Sequence, residues 1–130
     1  MSLEENKMIA QRLFEGINQG NPDILDEVAA PTFFSHAVPA GLPCTRDGYK
    51  QALGFLFTAF PDYHVVVEDL VAEDDQVVAR LTVGGTHQGT FFGIAPTGKQ
   101  VTWPAVDFFR LADGKLVEHW LVADIMALLQ

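Results

Sequence analysis

The chain has 130 residues, of which 48% are apolar, and it carries a formal net charge of −9. This length predicts a single domain, residues 1–130, that can bury a core without disulfides. Nucleic acids and anionic membranes attract basic surfaces, so the acidic charge and the absence of Lys/Arg clusters argue against both as partners. The single cysteine, Cys44, cannot form an internal disulfide, and no stretch has the pattern of a signal peptide or a membrane span. We therefore expect a cytoplasmic protein.

Three amphipathic helices are predicted in the first half of the chain, separated by glycine and proline breaks. A capping box at Ser2 begins the first helix, and Thr45 is the predicted N-cap of the third. The predicted ranges are residues 2–20, 21–29 and 45–60, with an irregular segment at residues 31–43.

Beyond the third helix the apolar pattern changes to that of β-strands. Valine-rich segments at residues 63–73 and 76–87 predict one hairpin, and residues 103–124 predict a second hairpin with a tight turn at residues 112–114. Helices followed by antiparallel strands predict an α+β domain in which one curved sheet wraps the helices.

Asp107 is the most informative residue of the second hairpin because it lies inside an apolar run. An ionised carboxylate there is costly unless it is paired, faces water or is kept for chemistry. A three-residue turn with Gly114 in a bulge places His119 opposite Asp107. A two-residue turn shifts the pairing by one and places Trp120 there instead. We prefer the first register, which sets a carboxylate and an imidazole side by side.

Several spaced motifs occur in an order that resembles one known family. They are His36, Phe60-Pro61-Asp62, Glu68-Asp69-Leu70-Val71, Gly85–Gly89, Gly93–Gly98, Asp107–Arg110 and Gly114–Trp120. Over almost the whole chain this pattern resembles the SnoaL-like polyketide cyclase branch of the NTF2-like superfamily. The resemblance implies an NTF2-like cone, with three N-terminal helices packed on a strongly curved mixed, largely antiparallel β-sheet that encloses an apolar pocket. It also implies an acid/base role for Asp107 and a homodimer formed through the outer sheet face.

Two other branches of that superfamily differ from this chain in their polar residues. Ketosteroid isomerases resemble this chain in outline, but they have a tyrosine on the first helix and an aspartate in the loop after the second helix. This chain has Phe14 on the first helix and His36 in that loop. Limonene-epoxide-hydrolase-type members have an arginine and a second aspartate at places that look like Ala105 and Leu121 here. The remaining set is cyclase-like and consists of imidazoles and one aspartate.

The candidate catalytic residues are Asp107, His119, His36 and His87, with Asp107 as the base and the histidines as donors to the developing oxyanion. Each has a structural alternative: Asp107 can be an ion-pair partner of Arg110 or a histidine, and each histidine can be an ordinary hydrogen-bonded residue. The candidate pocket-wall residues, any of which can equally be plain core, are Phe14, Phe33, Phe34, Phe57, Trp103, Phe109 and Leu121.

The histidines do not have the spacing of metal ligands. No two of His36, His87 and His119 lie within a helical turn or on alternate positions of one strand. We therefore expect neither a metal nor another cofactor.

Two function classes remain for this sequence. The first is a cofactor-free enzyme in which Asp107 removes a proton α to a carbonyl of a hydrophobic small molecule and the enolate closes on a second carbonyl as an intramolecular aldol. The alternative is a non-catalytic module that only binds an apolar small molecule; it predicts that Asp107 is fully satisfied by protein partners with no open space before it. An epoxide hydrolase or isomerase ranks lower.

The outer face of the last hairpin is predicted to be apolar. If Asp107 and His119 point inward, strand alternation turns their neighbours to the other side of the sheet. The residues expected there are Phe108, Arg110, Trp120 and Val122, joined by Val78, Val106 and Leu116. Because large exposed apolar patches usually mark association sites, this predicts a two-fold homodimer with Trp120 near its centre.

Overall fold

The computed structural model of the chain describes residues 2–124 and 126. Within them, three helices and five strands form an α+β fold, which confirms the predicted class. The elements are α1 (Leu3–Asn18), α2 (Ile24–Val28), β1 (Ala29–Ser35), α3 (Arg46–Ala59), β2 (His64–Glu73), β3 (Gln76–Thr86), β4 (Gln100–Ala112) and β5 (Lys115–Ala123). None of the helices in these residues is long and apolar enough to cross a membrane.

The strands form one mixed sheet in the order β1-β5-β4-β3-β2. The neighbours β2, β3, β4 and β5 pair antiparallel, whereas β1 pairs parallel with β5. Helix α1 packs mainly on β2 and α2, and α3 packs on β1. The helices thereby cover one face of the sheet, and the core lies between the two layers.

The helix caps follow the local sequence. Ser2 Oγ accepts a hydrogen bond from the Glu5 amide at 3.1 Å and the Ser2 amide donates to Glu5 Oε1 at 3.2 Å, so the capping box is confirmed. Thr45 Oγ1 accepts from the Gly48 amide, which confirms the cap of α3. Helix α2 is shorter than predicted because the Asn21 side chain accepts from the amide of Asp23 and folds the chain into a turn before the helix.

Strand β1 corrects the sequence prediction, which had a helix to residue 29 and irregular structure after residue 31. Ala29–Ser35 is an edge strand instead, and its partner β5 lies more than half the chain away. Pro31 lacks an amide hydrogen, and an edge strand with an irregular register tolerates this. The consequence is that Ser35 lies directly beside His119.

The β4–β5 hairpin also differs from the preferred prediction. Ala112 pairs with Lys115 across a two-residue turn in which Asp113 and Gly114 have φ of 51° and 75°. Positive φ at both positions is typical of the type I′ turn, whose twist matches that of paired strands. The three-residue turn with Gly114 in a bulge is therefore wrong.

The register then changes once more along the same ladder. Leu111 lies opposite Leu116 but Arg110 lies opposite Glu118, so Val117 is an extra residue in β5. After this bulge, the β5 residues point to the same faces of the sheet that the three-residue turn had predicted for them. Asp107 therefore lies opposite Leu121, and not opposite His119 or Trp120 as the two predicted registers had it. The side chain of His119 nevertheless lies on the same face of the sheet as that of Asp107.

Leu116 is a second correction on this strand. It is fully buried at 0% exposure, whereas the sequence placed it on the outer sheet face. Because it precedes the bulge, its side chain points toward the core. The outer face therefore retains Phe108, Val122 and the partly buried Val78, Val106, Arg110 and Trp120.

Candidate active site

A cavity of about 550 Å³ lies between the helices and the inner face of the sheet. Its wall is mainly apolar and draws on α1, α3, β2, β3, β4, β5 and the segments 37–39 and 90–92. Among the described residues that line it, Asp107, Tyr49, Tyr63, Thr58 and Thr90 carry carboxyl or hydroxyl groups, and Trp103 adds an indole N–H. No cationic side chain lies among them, so the carboxylate of Asp107 is the one formal charge on this part of the wall.

Asp107 uses its two carboxylate oxygens differently. Its side chain is largely buried, and Oδ1 lies 2.8 Å from Nε2 of His119. Oδ2 has no hydrogen-bond partner among the described residues, although Asp107 lines the cavity. One oxygen is therefore held by the protein and the other is available to a molecule in the cavity.

His119, which does not line the cavity, is the hydrogen-bond partner that orients Asp107. It is fully buried, and its Nδ1 lies 2.8 Å from Oγ of Ser35, on the parallel strand. The amide of Ala37 donates to that same Ser35 oxygen at 3.1 Å. The hydroxyl hydrogen of Ser35 is thus free to point at Nδ1, which leaves Nε2 as the protonated nitrogen that donates to Asp107. With a neutral imidazole, every hydrogen bond from the Ala37 amide through Ser35 and His119 to Asp107 has both a donor and an acceptor.

Aromatic packing fixes the orientation of the His119 ring. The ring stacks on Phe33 and Phe109, with centroid distances of 6.3 and 5.1 Å, and meets Tyr49 edge-on at 5.0 Å. Neither nitrogen faces the cavity, since both are engaged with Ser35 and Asp107. His119 therefore orients the carboxylate and does not itself reach a bound molecule.

His36 lies on the outer face of the sheet, away from the cavity, contrary to the expectation that it contributes to the pocket. Its Nε2 lies 2.8 Å from a carboxylate oxygen of Glu118, and its ring stacks on Trp120 with 4.9 Å between centroids. Hydrogen bonds from His36 and Arg110 lower the pKa of Glu118. The ion-pair partner of Arg110 is thus Glu118, whereas Asp107 is paired with His119.

His87 is fully buried but does not line the cavity. Its amide donates to the carbonyl of Lys99, its carbonyl accepts from the amide of Gly98, and its Nδ1 lies 3.2 Å from Oγ1 of Thr97. These bonds close the base of the segment between β3 and β4. The structure therefore places His87 in the support of that segment, not in the site.

That segment carries aromatic side chains to the mouth of the cavity. Phe91 and Phe92 lie at its tip, and Phe92, with a φ of 49°, is 62% exposed although it lines the cavity. Phe55 on α3 is also 62% exposed and lines the same opening. An apolar rim of this kind favours entry of an apolar molecule.

Three of the seven predicted wall residues line the cavity: Phe14, Trp103 and Leu121. The other four pack elsewhere. Phe33 and Phe109 are buried against His119, Phe57 packs on Tyr63, and Phe34 is 46% exposed beside His36 on the outer face. The unpredicted strand β1 accounts for the placement of Phe33 and Phe34, because alternation along a strand turns the first side chain inward and the second outward.

Two tyrosines in the site were missed by the sequence analysis. Tyr49 continues the apolar face of α3 four residues before Leu53, and Tyr63 directly precedes β2. Burial and the negative charge of Asp107 raise the pKa of both phenols. Both therefore stay protonated at neutral pH. The helical spacing from Tyr49 to Leu53 and Leu56 was the signal that identifies Tyr49 as an inward-facing residue.

Ser35 was also missed, because nothing local in the sequence marks β1 as a strand.

Within residues 2–124 and 126 there is no cluster of three or more His, Cys, Asp or Glu side chains that could hold a metal ion.

Comparison with known proteins relates the chain to one family. A family model described as SnoaL-like polyketide cyclase matches residues 7–130. Aklanonic acid methyl ester cyclase DauD from Streptomyces sp. (strain C5) is 26% identical over 118 residues, which cover 85% of this chain and 71% of that protein.

Solved structures resemble the chain over nearly its whole length. IdmH from Streptomyces antibioticus, a candidate polyketide cyclase, is 31% identical with a TM-score of 0.83, covering 95% of each chain. AclR from Streptomyces galilaeus, a candidate hydroxylase, is 32% identical with a TM-score of 0.84, covering 98% of this chain and 84% of that one. From the match over residues 7–130 and the shared NTF2-like fold, the chain belongs to the SnoaL-like polyketide cyclase family.

Proposed function

We propose that this protein is a cofactor-free acid/base catalyst that closes a ring in an apolar carbonyl compound by an intramolecular aldol reaction. The observation that carries the proposal is the asymmetry of Asp107. Oδ1 is fixed by His119, whereas Oδ2 has no protein partner among the described residues and borders an apolar cavity. A base needs this arrangement, because it must be rigidly placed and still have a lone pair free for the proton it removes.

The proposed reaction returns the enzyme to its starting state. Oδ2 of Asp107 takes a proton from the carbon α to a carbonyl, and the electron pair of that C–H bond forms an enolate. The enolate carbon bonds to a second carbonyl carbon of the same molecule, whose oxygen becomes an alkoxide. The alkoxide takes the proton back from Asp107, so no external oxidant, reductant or cofactor is consumed.

The cavity supports an intramolecular reaction of an apolar molecule. Its volume of about 550 Å³ lies in the range of small-molecule sites, and its apolar wall can hold a flexible chain in a folded conformation. The relative DauD is named for a cyclase acting on aklanonic acid methyl ester. For this chain we propose a hydrophobic, polyketide-like carbonyl compound as the substrate class.

The alternative of a pure binding module is less well supported. It requires an aspartate that is satisfied by protein partners and has no space before it, whereas Oδ2 of Asp107 borders the cavity. A hydrolase is likewise disfavoured, since the described wall carries neither a cationic side chain nor a second carboxylate to position a water molecule.

Proton abstraction can be tested without the natural substrate. With 2-tetralone as an apolar ketone probe in D₂O, we expect the wild type to accelerate exchange of the α-protons, followed by NMR. Asp107→Asn should reduce that acceleration by about a hundredfold or more, the usual contribution of a positioned base. Asp75→Asn, which changes a hairpin-turn carboxylate outside the cavity, is the matched control. Equal exchange by Asp107→Asn and wild type would contradict the proposal, and binding of 2-tetralone with no acceleration would favour the module.

We also propose a two-fold homodimer formed through the outer sheet face. Val78, Phe108 and Trp120 lie side by side on β3, β4 and β5, and Phe108 is 40% exposed. Val122 at 71% and Phe34 at 46% exposure extend this apolar surface. A contiguous surface of this kind is typical of an association site.

A further inference from the structure

The proposed reaction places negative charge on a substrate oxygen, and Asp107 and His119 do not neutralise it. Asp107 is itself anionic before it takes the proton. His119 is fully buried, and both its ring nitrogens are engaged with Ser35 and Asp107. A hydrogen-bond donor for the enolate oxygen must therefore come from another part of the cavity wall.

Tyr49 is one such donor. It lines the cavity from α3, and its ring is fixed between Phe33, at 5.8 Å, and His119, at 5.0 Å between centroids. Its hydroxyl has no hydrogen-bond partner among the described residues and is not sealed from the cavity. The phenol is thus rigidly mounted next to the imidazole that orients Asp107.

Tyr63 is the second donor. It lines the same cavity from the residue before β2, and its ring packs against Phe57, Phe60 and Trp103. Its hydroxyl likewise has no partner among the described residues. Trp103, on which Tyr63 packs, lies on the same inner face of β4 as Asp107, and Tyr49 packs on His119, the partner of Asp107. Both phenols therefore line the cavity wall to which Asp107 belongs, and the charge of Asp107 contributes to raising the pKa of each.

We propose that the hydroxyl groups of Tyr49 and Tyr63 donate hydrogen bonds to the enolate oxygen of the bound substrate and so form an oxyanion site beside Asp107. The inference rests on the proposed function for its catalytic meaning. Buried tyrosine hydroxyls usually find a partner, and here two of them lack one at the same cavity. A ligand oxygen between them supplies the missing acceptor for both.

The acid/base properties of the two phenols suit this role. Burial and the carboxylate of Asp107 raise the pKa of each, so each remains a hydrogen-bond donor across the physiological range. Donors preorganised in an apolar cavity stabilise a developing anion more strongly than water does, because they need no reorientation during the reaction. When Asp107 takes the α-proton its charge disappears, and the negative charge of the enolate takes its place next to the same two donors.

The oxyanion site can be tested by binding an enolate mimic, 2-naphtholate, to the Asp107→Asn protein. This background removes the carboxylate that would repel the anion. Adding Tyr49→Phe or Tyr63→Phe should weaken 2-naphtholate binding, followed by its fluorescence, by about tenfold to a hundredfold, the range for hydrogen bonds to a charged group. Binding of naphthalene, which has no oxygen, should stay unchanged in the same variants and shows that the cavity is intact. Unchanged naphtholate affinity in both tyrosine variants, or no naphtholate binding in the Asp107→Asn background, would overturn the inference.

Kinetics with the native aspartate separate this inference from the proposed function. Tyr49→Phe and Tyr63→Phe should lower kcat for α-proton exchange of 2-tetralone by about tenfold or more with little change in KM, since the bond to the oxyanion forms mainly in the transition state. Exchange that needs Asp107 but neither tyrosine would refute the oxyanion site and leave the proposed function standing. Naphtholate binding that depends on the tyrosines, in a protein with no exchange activity, would support the anion-binding site and contradict the proposed function.

Discussion

Asp107 and His119 are hydrogen bonded at 2.8 Å although they do not lie opposite each other in the β4–β5 ladder. Leu121 is opposite Asp107, and Phe109 is opposite His119. The bond therefore runs diagonally across one face of the sheet, where residues two positions apart are about 7–8 Å from each other and within reach of long side chains. This bond exists because Val117 is an extra residue in β5, which shifts the pairing by one and turns the side chain of His119 to the face of the sheet that carries Asp107. The geometry of the candidate base depends on that single extra residue.

The first prediction concerns the hydroxyl of Ser35, which is fully buried between the Ala37 amide and His119. Ser35→Ala should lower the free energy of unfolding by about 1–3 kcal/mol, because it leaves a buried imidazole nitrogen and an amide without partners. Urea unfolding followed by circular dichroism measures this change.

The control for Ser35 is a double-mutant cycle with His119→Phe. In that background the nitrogen that Ser35 serves is absent, so removing the hydroxyl should cost less than in the wild type, with a coupling of about 0.5 kcal/mol or more. Additive effects of the two substitutions would show that the bond between Ser35 and His119 contributes nothing to stability.

A second prediction contrasts two glycines inside helices. An added Cβ at Gly16 would collide with the side chain of Ile24, whereas at Gly54 it would meet nothing within 4 Å. Gly16→Ala should destabilise the protein by about 1–3 kcal/mol through overpacking between α1 and α2. Gly54→Ala should stabilise it by about 0.5–1 kcal/mol, because alanine restricts the unfolded chain and favours the helix. Thermal unfolding of the two variants side by side measures both, and a stabilised Gly16→Ala would show that α2 is not packed there.

The third prediction is a pH dependence from Asp62, which joins the start of β2 to the end of β3. Its carboxylate accepts from the amide of Thr86 at 2.6 Å and from the hydroxyl at 2.7 Å, and these bonds lower its pKa. A lowered folded-state pKa gives stability that is present above the unfolded value, near 4, and is lost as the pH falls through the folded value. Asp62→Asn should therefore be less stable than the wild type at pH 7, and the difference should shrink below about pH 4.

Urea unfolding at several pH values between 7 and 3 measures that convergence. Asp75→Asn is the matched control, since the Asp75 carboxylate has no hydrogen-bond partner among the described residues, and it should stay within about 0.5 kcal/mol of the wild type at neutral pH. A difference for Asp62→Asn that is the same at pH 7 and pH 3 would exclude the carboxylate as its source.

The fourth prediction tests the proposed dimer. Trp120 packs on His36 at the outer sheet face and does not line the cavity. Trp120→Glu would bury an unpaired charge in the proposed contact and should convert a dimer to monomers or aggregates, measured by light scattering at micromolar concentration. Met8→Glu, at a 65% exposed apolar position on α1, should leave the mass unchanged. A wild type that is already monomeric would exclude this interface.

The elements that the sequence predicted well are those specified by neighbouring residues. Ser2 and Thr45 cap their helices through bonds three residues away, and β2 and β3 follow valine alternation. Asp107 and His119 do share a face, as predicted, but the three-residue turn from which this was inferred is absent, and the bulge at Val117 produces the same facing. Their exact pairing was not predictable, because a two-residue turn and a bulge at Val117 shift the register in steps that composition does not reveal.

Residues that depend on distant pairing escaped prediction. Strand β1 contains Pro31 and shows no alternation, so only its partner β5 makes it a strand. With β1 unrecognised, Ser35 had no reason to be near His119, and His36 was assigned to the wrong side of the sheet. Tyr49 is different, since its helical spacing from Leu53 was visible in the sequence.

The parallel pairing of β1 with β5 also bears on how the protein folds. Ser35 and His119 are 84 positions apart, and β5 is the last strand in sequence within the part of the chain that the structure describes. Closing so long a loop is slow because its entropy is lost before the contact forms. During synthesis, the helices and the first hairpin leave the ribosome before β5, the strand that brings His119 to Asp107. In a nascent chain from which β5 has not yet emerged, Asp107 therefore lacks the imidazole that orients it.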